Sequence, residues 1–539
     1  MQLRSCFLFV ALALRVTAQN FEPDDFNVTQ ALVDRGVNVT AIPGLSSLAG
    51  QSSNQACSIA CNALQIVYGS NYVINQSQAA YDTFTSGYWS LNQANVNPYC
   101  IFKPSTASAV SVLVLLSRLT QCPFAVKSGG HAAFAGASNI EGGITVSFEL
   151  LNGITLSANQ KTASVQAGQR WGPVYRELAK SDVTVIGGRV SEVGVGGLTL
   201  GGGISFFSNR YGWACDNVDS YDVVTASGAL ITASAKDYPD LYWALRGGGN
   251  NFGLVVNFNY ATISLEGNNM WGGTRTFLES SFPQVVNAFS KVVADAEQDK
   301  RAGQWVAWLS YGGTKLAAAE LWYDRPDGNK SNIFNNYYTI PAVSDTTQNR
   351  KFYGYTDDVQ SNNPYGLREI YHALTVKADS DLASLAKDIF FEEIPSVANV
   401  AGVNPVLLYQ GITVPQLQKM KQNGGNPLGL SASDGPFYLI HVACWWQNEA
   451  DDAKVYQMVS RVLKRIKTEA ESRGKQNDYI YMNYASMFQH PIESYGATNQ
   501  AQLKSIANKY DPKKVFQTLQ PGHFKLDRAP VPNSEFSLE

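Results

Sequence analysis

Two glycine-rich stretches constrain this chain more than anything else in it. FAVKSGGHAAFAGAS, Phe124 to Ser138, holds three Gly and seven Ala or Ser in fifteen residues. GGRVSEVGVGGLTLGGG, Gly187 to Gly203, holds eight Gly. Such density disfavours long helices and central strands and suits tight turns where backbone approaches something closely. Pro123 to Val126 reads as a strand feeding the first stretch, which then presents a lone imidazole, His131. Neither stretch is a dinucleotide fingerprint: Gly194 and Gly196 are followed by Thr199 where a third Gly is needed, and RGGGNNFG also misses the spacing. No Walker loop occurs. Two readings stay open: tight turns of a β-rich domain, or loops whose N–H groups approach a pyrophosphate.

The chain is long enough for more than one core, with 539 residues, 45% of them apolar. A net charge of −3 and the lack of a long basic run argue against nucleic acid and anionic membrane as partners. MQLRSCFLFVALALRVTA, residues 1–18, reads as a secretory signal, and no other run is apolar enough to span a bilayer. Sequons at Asn27, Asn38, Asn75 and Asn329 then predict N-glycans on a secreted or secretory-lumen protein. Cys57, Cys61, Cys100 and Cys122 crowd the N-terminal quarter as disulfide staples do, and spacing leaves three pairings open. No metal site is expected, because the Cys-x3-Cys lacks a nearby His.

Short strands and turns dominate the first half. Thr106 to Leu119, capped by Ser105, reads as a helix, and Ile144–Phe148, Ala163–Ala167, Val218–Ala226 and Leu254–Asn259 read as strands. Gln304–Tyr311, Leu316–Trp322 and Phe437–Trp446 look like longer antiparallel strands, backed by helices such as Asp451–Glu469. After Tyr479 come one strand, in which Tyr479, Tyr481 and Asn483 share a face, a loop, and a helix opened by Thr498. His372, His441, His490 and His523 read as structural.

VKSGGHAAFAGAS, RVSEVGVGGLTLGGGISFFSNRYGWACDNVDSYDVVTASG, LYWALRGGGNNFGLVV and YMNYA…YDPKKVFQ occur in that order. Together they resemble the FAD-linked oxidases of the berberine bridge enzyme-like family, within the vanillyl-alcohol oxidase superfamily, and fungal members above all. The resemblance implies an α+β fold: a two-part FAD-binding domain plus a substrate domain with an antiparallel sheet backed by helices. The expected segments are the signal at 1–18, an N-terminal segment at 19–93, the FAD-binding domain at 94–267, the substrate domain at 268–478, a closing segment at 479–526 and a tail at 527–539. It also implies FAD bonded covalently to His131. Val126, Lys127, Ser128, Gly129, Gly130, Gly136 and Ser138 are then expected along the pyrophosphate and ring. Gly194, Gly197 and Gly201 are expected over the other side, with Gly212, Asp216, Asn217, Val218, Gly253 and Val255 holding the rest and Asn483 touching the flavin. Val190 stands where some relatives carry a second flavin-bonding Cys, so a single bond is expected.

Val193 falls at the family's oxygen gate, where a small side chain goes with O2 access. The expected reaction takes a hydride from an alcohol or similar C–H carbon of a small secondary-metabolite intermediate and yields H2O2, with ring closure in some relatives. Tyr481 is the expected catalytic phenol. Berberine bridge enzyme itself uses a Glu on its substrate strands. No clear Glu stands there, and Asp434 is the only carboxylate in the loosely matching NPLGLSASDGPFYLIHV. The alternatives are an extracellular carbohydrate oxidase and a secreted flavin-binding glycoprotein with little catalysis. The resemblance pairs Cys61 with Cys100, which leaves Cys57 to Cys122 and keeps Cys215 and Cys444 free.

Overall fold

The computed structural model describes residues 21–45 and 55–538. Residues 1–18, read above as a signal, lie outside them. Three sheets carry the chain. The first has four strands in the order Val73–Asn75, Cys100–Phe102, Ile144–Ser147, Phe124–Lys127, and its last two pairings are parallel. Helix Ala107–Thr120 joins two of these strands, as a parallel pairing requires of its crossover. Thr106, not Ser105, caps it: the Thr106 side chain accepts the Ala109 N–H.

The second sheet is built on Leu254–Ser264, which pairs antiparallel with Thr162–Gln166, Val183–Val185 and Val218–Val224. The glycine loops leave these two sheets. The Phe124–Lys127 strand ends at the first, and the second contains only one short helix, Val195–Leu200.

The third sheet has nine strands, all antiparallel, and runs in sequence from Asn269 to Asn477. Its period of two separates the faces. Val306, Trp308, Leu407, Tyr409, Ile440 and Val442 pack on one side in a core with Val285, Phe289, Leu382, Ala386, Val459 and Val462. Those partners belong to helices Phe282–Ala294, Ser380–Glu393 and Asp452–Ser472. The last of these helices buries Val455, Met458, Val459, Val462, Leu463 and Ile466 as one stripe. The opposite face of the sheet turns toward the glycine loops.

Two disulfides, Cys57–Cys122 and Cys61–Cys100, staple the N-terminal helix Ala56–Tyr68 to the first sheet region, with Cys215 and Cys444 free and buried. Each closes a loop of the unfolded chain and contributes about 2–4 kcal/mol.

The segment after Tyr479 departs from expectation. It forms no strand: Met482–Tyr484 is a single 3-10 turn, followed by a short helix, Pro491–Ser494, and then by the longer helix Ala497–Tyr510. The tyrosines here are packed against glycine-loop residues rather than hydrogen-bonded along a sheet edge, so the alternating pattern came from packing alone.

Candidate active site

A cavity of about 1160 Å³ lies between the glycine loops and the exposed face of the nine-stranded sheet. That exceeds the roughly 300–1,000 Å³ of common ligand pockets and leaves room for a large cofactor with a second molecule.

The loops meet backbone to backbone. A Cβ on Gly129 would stand 2.3 Å from the Gly194 nitrogen, and one on Gly194 would stand 2.2 Å from the Gly129 nitrogen, so both positions exclude any side chain. Ser128 ties the loops together: its Oγ donates to the Ala167 carbonyl at 2.5 Å and accepts the Gly196 N–H at 3.2 Å. Gly197 borders the cavity, and a Cβ there would meet nothing within 4 Å. His131 is half-buried at the cavity wall and stacks on Trp89, ring centroids 4.1 Å apart and planes 12° apart. Burial holds its imidazole neutral, with a pKa pushed down to about 4. Its Nε2 is buried without a hydrogen-bond partner, and the residue borders the cavity.

Of the residues expected at the cofactor, the structure brings Val126, Ser128, Gly129, Gly130, His131, Ser138, Val193, Gly194, Gly197, Gly253, Val255, Tyr481 and Asn483 to this one cavity. Others lie elsewhere. Lys127 turns its ammonium over Phe84 and Tyr88, 4.9 Å from each ring. Gly136 packs its carbonyl against Gly522. Gly201 makes room for Asn483, whose Oδ1 a Cβ would meet at 2.1 Å. Gly212, Asp216, Asn217 and Val218 belong to a buried cluster around Arg246 and its neighbours, away from the cavity wall. Their role in the fold is to lock loops together.

The sheet supplies the facing wall in rows. Thr274, Glu320, Trp305 and Gln410 stand side by side in register. The next row along the strands is Ala318, Ala307, Leu408 and His441, and the third is Leu309, Val406, Ala443 and Tyr371. Arg189, from the second glycine stretch, reaches the first row: it stacks on Trp305 at 4.9 Å and its Nη2 donates to Gln410 Oε1 at 2.8 Å and to Tyr484 Oη at 2.7 Å. His441 stacks on Tyr484 at 4.3 Å and is held neutral by burial, its pKa lowered to about 3. It borders the cavity, as does His523, so neither is simply core. His372, which points to the helix side, is core, and His490 bridges Glu493 and the Lys525 carbonyl.

Among the described residues no cation is bonded to Tyr481. Its Oη accepts the Ile204 N–H and the Asn483 Nδ2–H, each at 3.0 Å, and burial pushes its phenol well up. The two accepted bonds by themselves favour the phenolate, but burial outweighs them and keeps the proton on Tyr481, which can then donate a hydrogen bond to a ligand. Arg189, Tyr371, Tyr484 and the cavity side of His441 were missed. Tyr371 and His441 sit on strands where period two, carried from the register of Trp305, reveals the facing side.

Glu369 was missed as well. It lies on the strand Arg368–Lys377, in register with Trp445, and is 1% exposed. Neither carboxylate oxygen has a partner, and burial raises its pKa from 4.5 to about 9. Between those values the folded protein holds a proton that the unfolded chain has lost, so stability falls as pH rises. Glu369→Gln is therefore expected to stabilise the protein at pH 7 by on the order of 2–4 kcal/mol and to change little below pH 4. Urea unfolding at both pH values checks this.

A family model described as an FAD binding domain matches residues 98–234, the region that holds both glycine stretches. A FAD-dependent monooxygenase of Cochliobolus heterostrophus is 36% identical over 496 residues, covering 88% of this chain and 95% of the relative. This chain belongs to the berberine bridge enzyme-like FAD-linked oxidoreductases. The bifunctional solanapyrone synthase of Alternaria solani is 31% identical over 93% of this chain and 94% of its own length. The solved structure of a berberine bridge enzyme variant shares the fold at 16% identity, with a TM-score of 0.70, covering 85% of this chain and 98% of that one. The family's cofactor, FAD, fits what the cavity offers: side-chain-free Gly197 on one wall and the unpartnered, buried His131 Nε2.

Proposed function

We propose that this enzyme is an oxidase of a small, largely apolar intermediate of secondary metabolism, and that it works in the secretory pathway or outside the cell as a glycoprotein. Three of the four sequon asparagines are exposed and Asn75 is half-buried, which suits the second part of this reading. FAD bound at the glycine loops supplies the acceptor for a hydride from an alcohol or similar C–H carbon and, once reduced, the donor to O2 that gives H2O2. The protein's part is to hold the substrate between the loops and the sheet. Tyr481 keeps its proton and offers it as a hydrogen bond to a substrate oxygen. Trp305, Tyr371 and the aliphatic rows exclude water. A name that marks one relative as bifunctional supports a second step, such as ring closure, in the same cavity.

The observation that carries this reading is the wall of Ala307, Leu309, Ala318, Val406, Leu408 and Ala443. A carbohydrate would leave its hydroxyls unpaired against such a surface, at about 1–3 kcal/mol for each buried group. This favours the apolar substrate over the sugar. The test is a screen of the purified holoenzyme for substrate-dependent flavin bleaching, with peroxide counted per substrate consumed. Equal amounts support an oxidase. Label from ¹⁸O₂ appearing in the product instead makes the protein a monooxygenase, as several relatives are named.

Val193 borders the cavity beside Gly194 and its carbonyl accepts the Trp171 N–H at 3.1 Å, so its backbone is fixed. Val193→Leu would push one more carbon into a packed wall. It is expected to slow reoxidation by O2 at least tenfold while substrate reduction changes less than threefold. Stopped-flow mixing of the reduced enzyme with oxygenated buffer measures both.

A further inference from the structure

Arg189 is 8% exposed, yet among the described residues no carboxylate lies within 4.0 Å of it. Its recorded partners are neutral: the Gln410 amide, the Tyr484 phenol and the Trp305 ring. Compare Arg246, which is fully buried and faces Asp216, and Arg118, which grips Glu22. A guanidinium keeps its proton in a protein, so Arg189 brings a full positive charge into a cavity. Burying an ion without a counter-charge is costly. Such a site is matched when an anion enters.

The geometry around it says what kind. Arg189 stands over the first row of the sheet wall. The second and third rows, each about 7 Å further along the strands, present Ala307, Leu408, Ala318, Leu309, Val406 and Ala443. Charge at one end and aliphatic surface beyond it describe an organic acid with an apolar body. We propose that Arg189 seats an anionic oxygen of the substrate, a carboxylate or an enolate, and that the apolar body of the substrate lies along the second and third rows. The proposal rests on the reading of this cavity as the oxidation site.

The flavin also carries oxygens that become negative on reduction, so the test separates the two sources. Decanoate and its neutral isostere decanamide are titrated into the oxidised holoenzyme, and binding is read from perturbation of the visible flavin spectrum. Decanoate is expected to bind at least tenfold more tightly than decanamide. Arg189→Gln should erase that preference, and Arg189→Lys should keep most of it. Equal binding of the two probes, or no perturbation by either, overturns the proposal. So does an Arg189→Gln enzyme that keeps the preference while its flavin midpoint potential shifts, since the charge then serves the cofactor. The comparison in the unsubstituted enzyme stands even if a variant fails to fold. A purified protein that takes up no FAD would instead sink the reading of the site itself.

Discussion

His131→Ala is expected to release the flavin. Acid-precipitated wild-type protein should stay yellow, while the variant's pellet should be colourless and its supernatant should hold the FAD. The argument starts from the imidazole. Bond formation to carbon needs a nitrogen lone pair, and burial keeps His131 neutral, its pKa lowered to about 4. Stacking on Trp89 fixes the ring plane, and Trp89 in turn stacks on Tyr371 at 5.8 Å, so the ring is held from the sheet side as well. A second bond would need a thiol at the cavity. Val190 borders it where a Cys would be required, whereas Cys215 is buried elsewhere with its thiol pushed up by burial. Covalent flavin persisting in the His131→Ala protein would falsify the assignment. A colourless wild-type pellet would show that the cofactor is held by contacts alone.

The loops around His131 were legible in the sequence because glycine is itself a geometric statement. Gly129 and Gly194 could be expected at a close backbone approach before any coordinates, and the structure shows that each is glycine because of the other. Three strands of the nine-stranded sheet, Ala302–Tyr311, Thr314–Tyr323 and Phe437–Trp446, were legible from their length and apolar character, since a wall packed on helices needs one dry face. What stayed hidden was which residues meet across that sheet. Arg189 lies 221 residues from Gln410 and 295 from Tyr484, and no local pattern encodes such pairings. Glu369 stayed hidden for the opposite reason: a lone Glu in REIYHALTVK reads as solvent-facing, and only the strand's position beneath the segment Ser90–Ala94 buries it. The motif GWACDN shows a third case. Its residues sit in a family signature, yet the structure uses them to join loops rather than to line the cavity.

That last point sets the final expectation. Asp216→Ala should destabilise the protein by about 3–5 kcal/mol, because it leaves a buried guanidinium unpaired. Asp216 and Arg246 are both fully buried and meet at 3.1 Å. The Asp216 carboxylate also accepts the Trp213 N–H at 2.9 Å and the Asn426 amide at 2.8 Å. Arg246 donates to the carbonyls of Cys215 at 3.0 Å and Gln422 at 2.9 Å, and to Gly425. One ion pair thus pins the turn before Val218–Val224 to the segment Gln422–Asn426, which leads back into the large sheet. Removing both charges should cost less than removing one, so Asp216→Ala with Arg246→Met is expected to recover part of the loss. Denaturant unfolding of the two single variants and the double gives the coupling. The same proteins separate structure from cofactor binding. If Asp216 acts only through this pair, the folded fraction of the Asp216→Ala protein carries flavin at wild-type stoichiometry. Folded protein lacking flavin would return Asp216 to the cofactor's own contacts and overturn the structural reading.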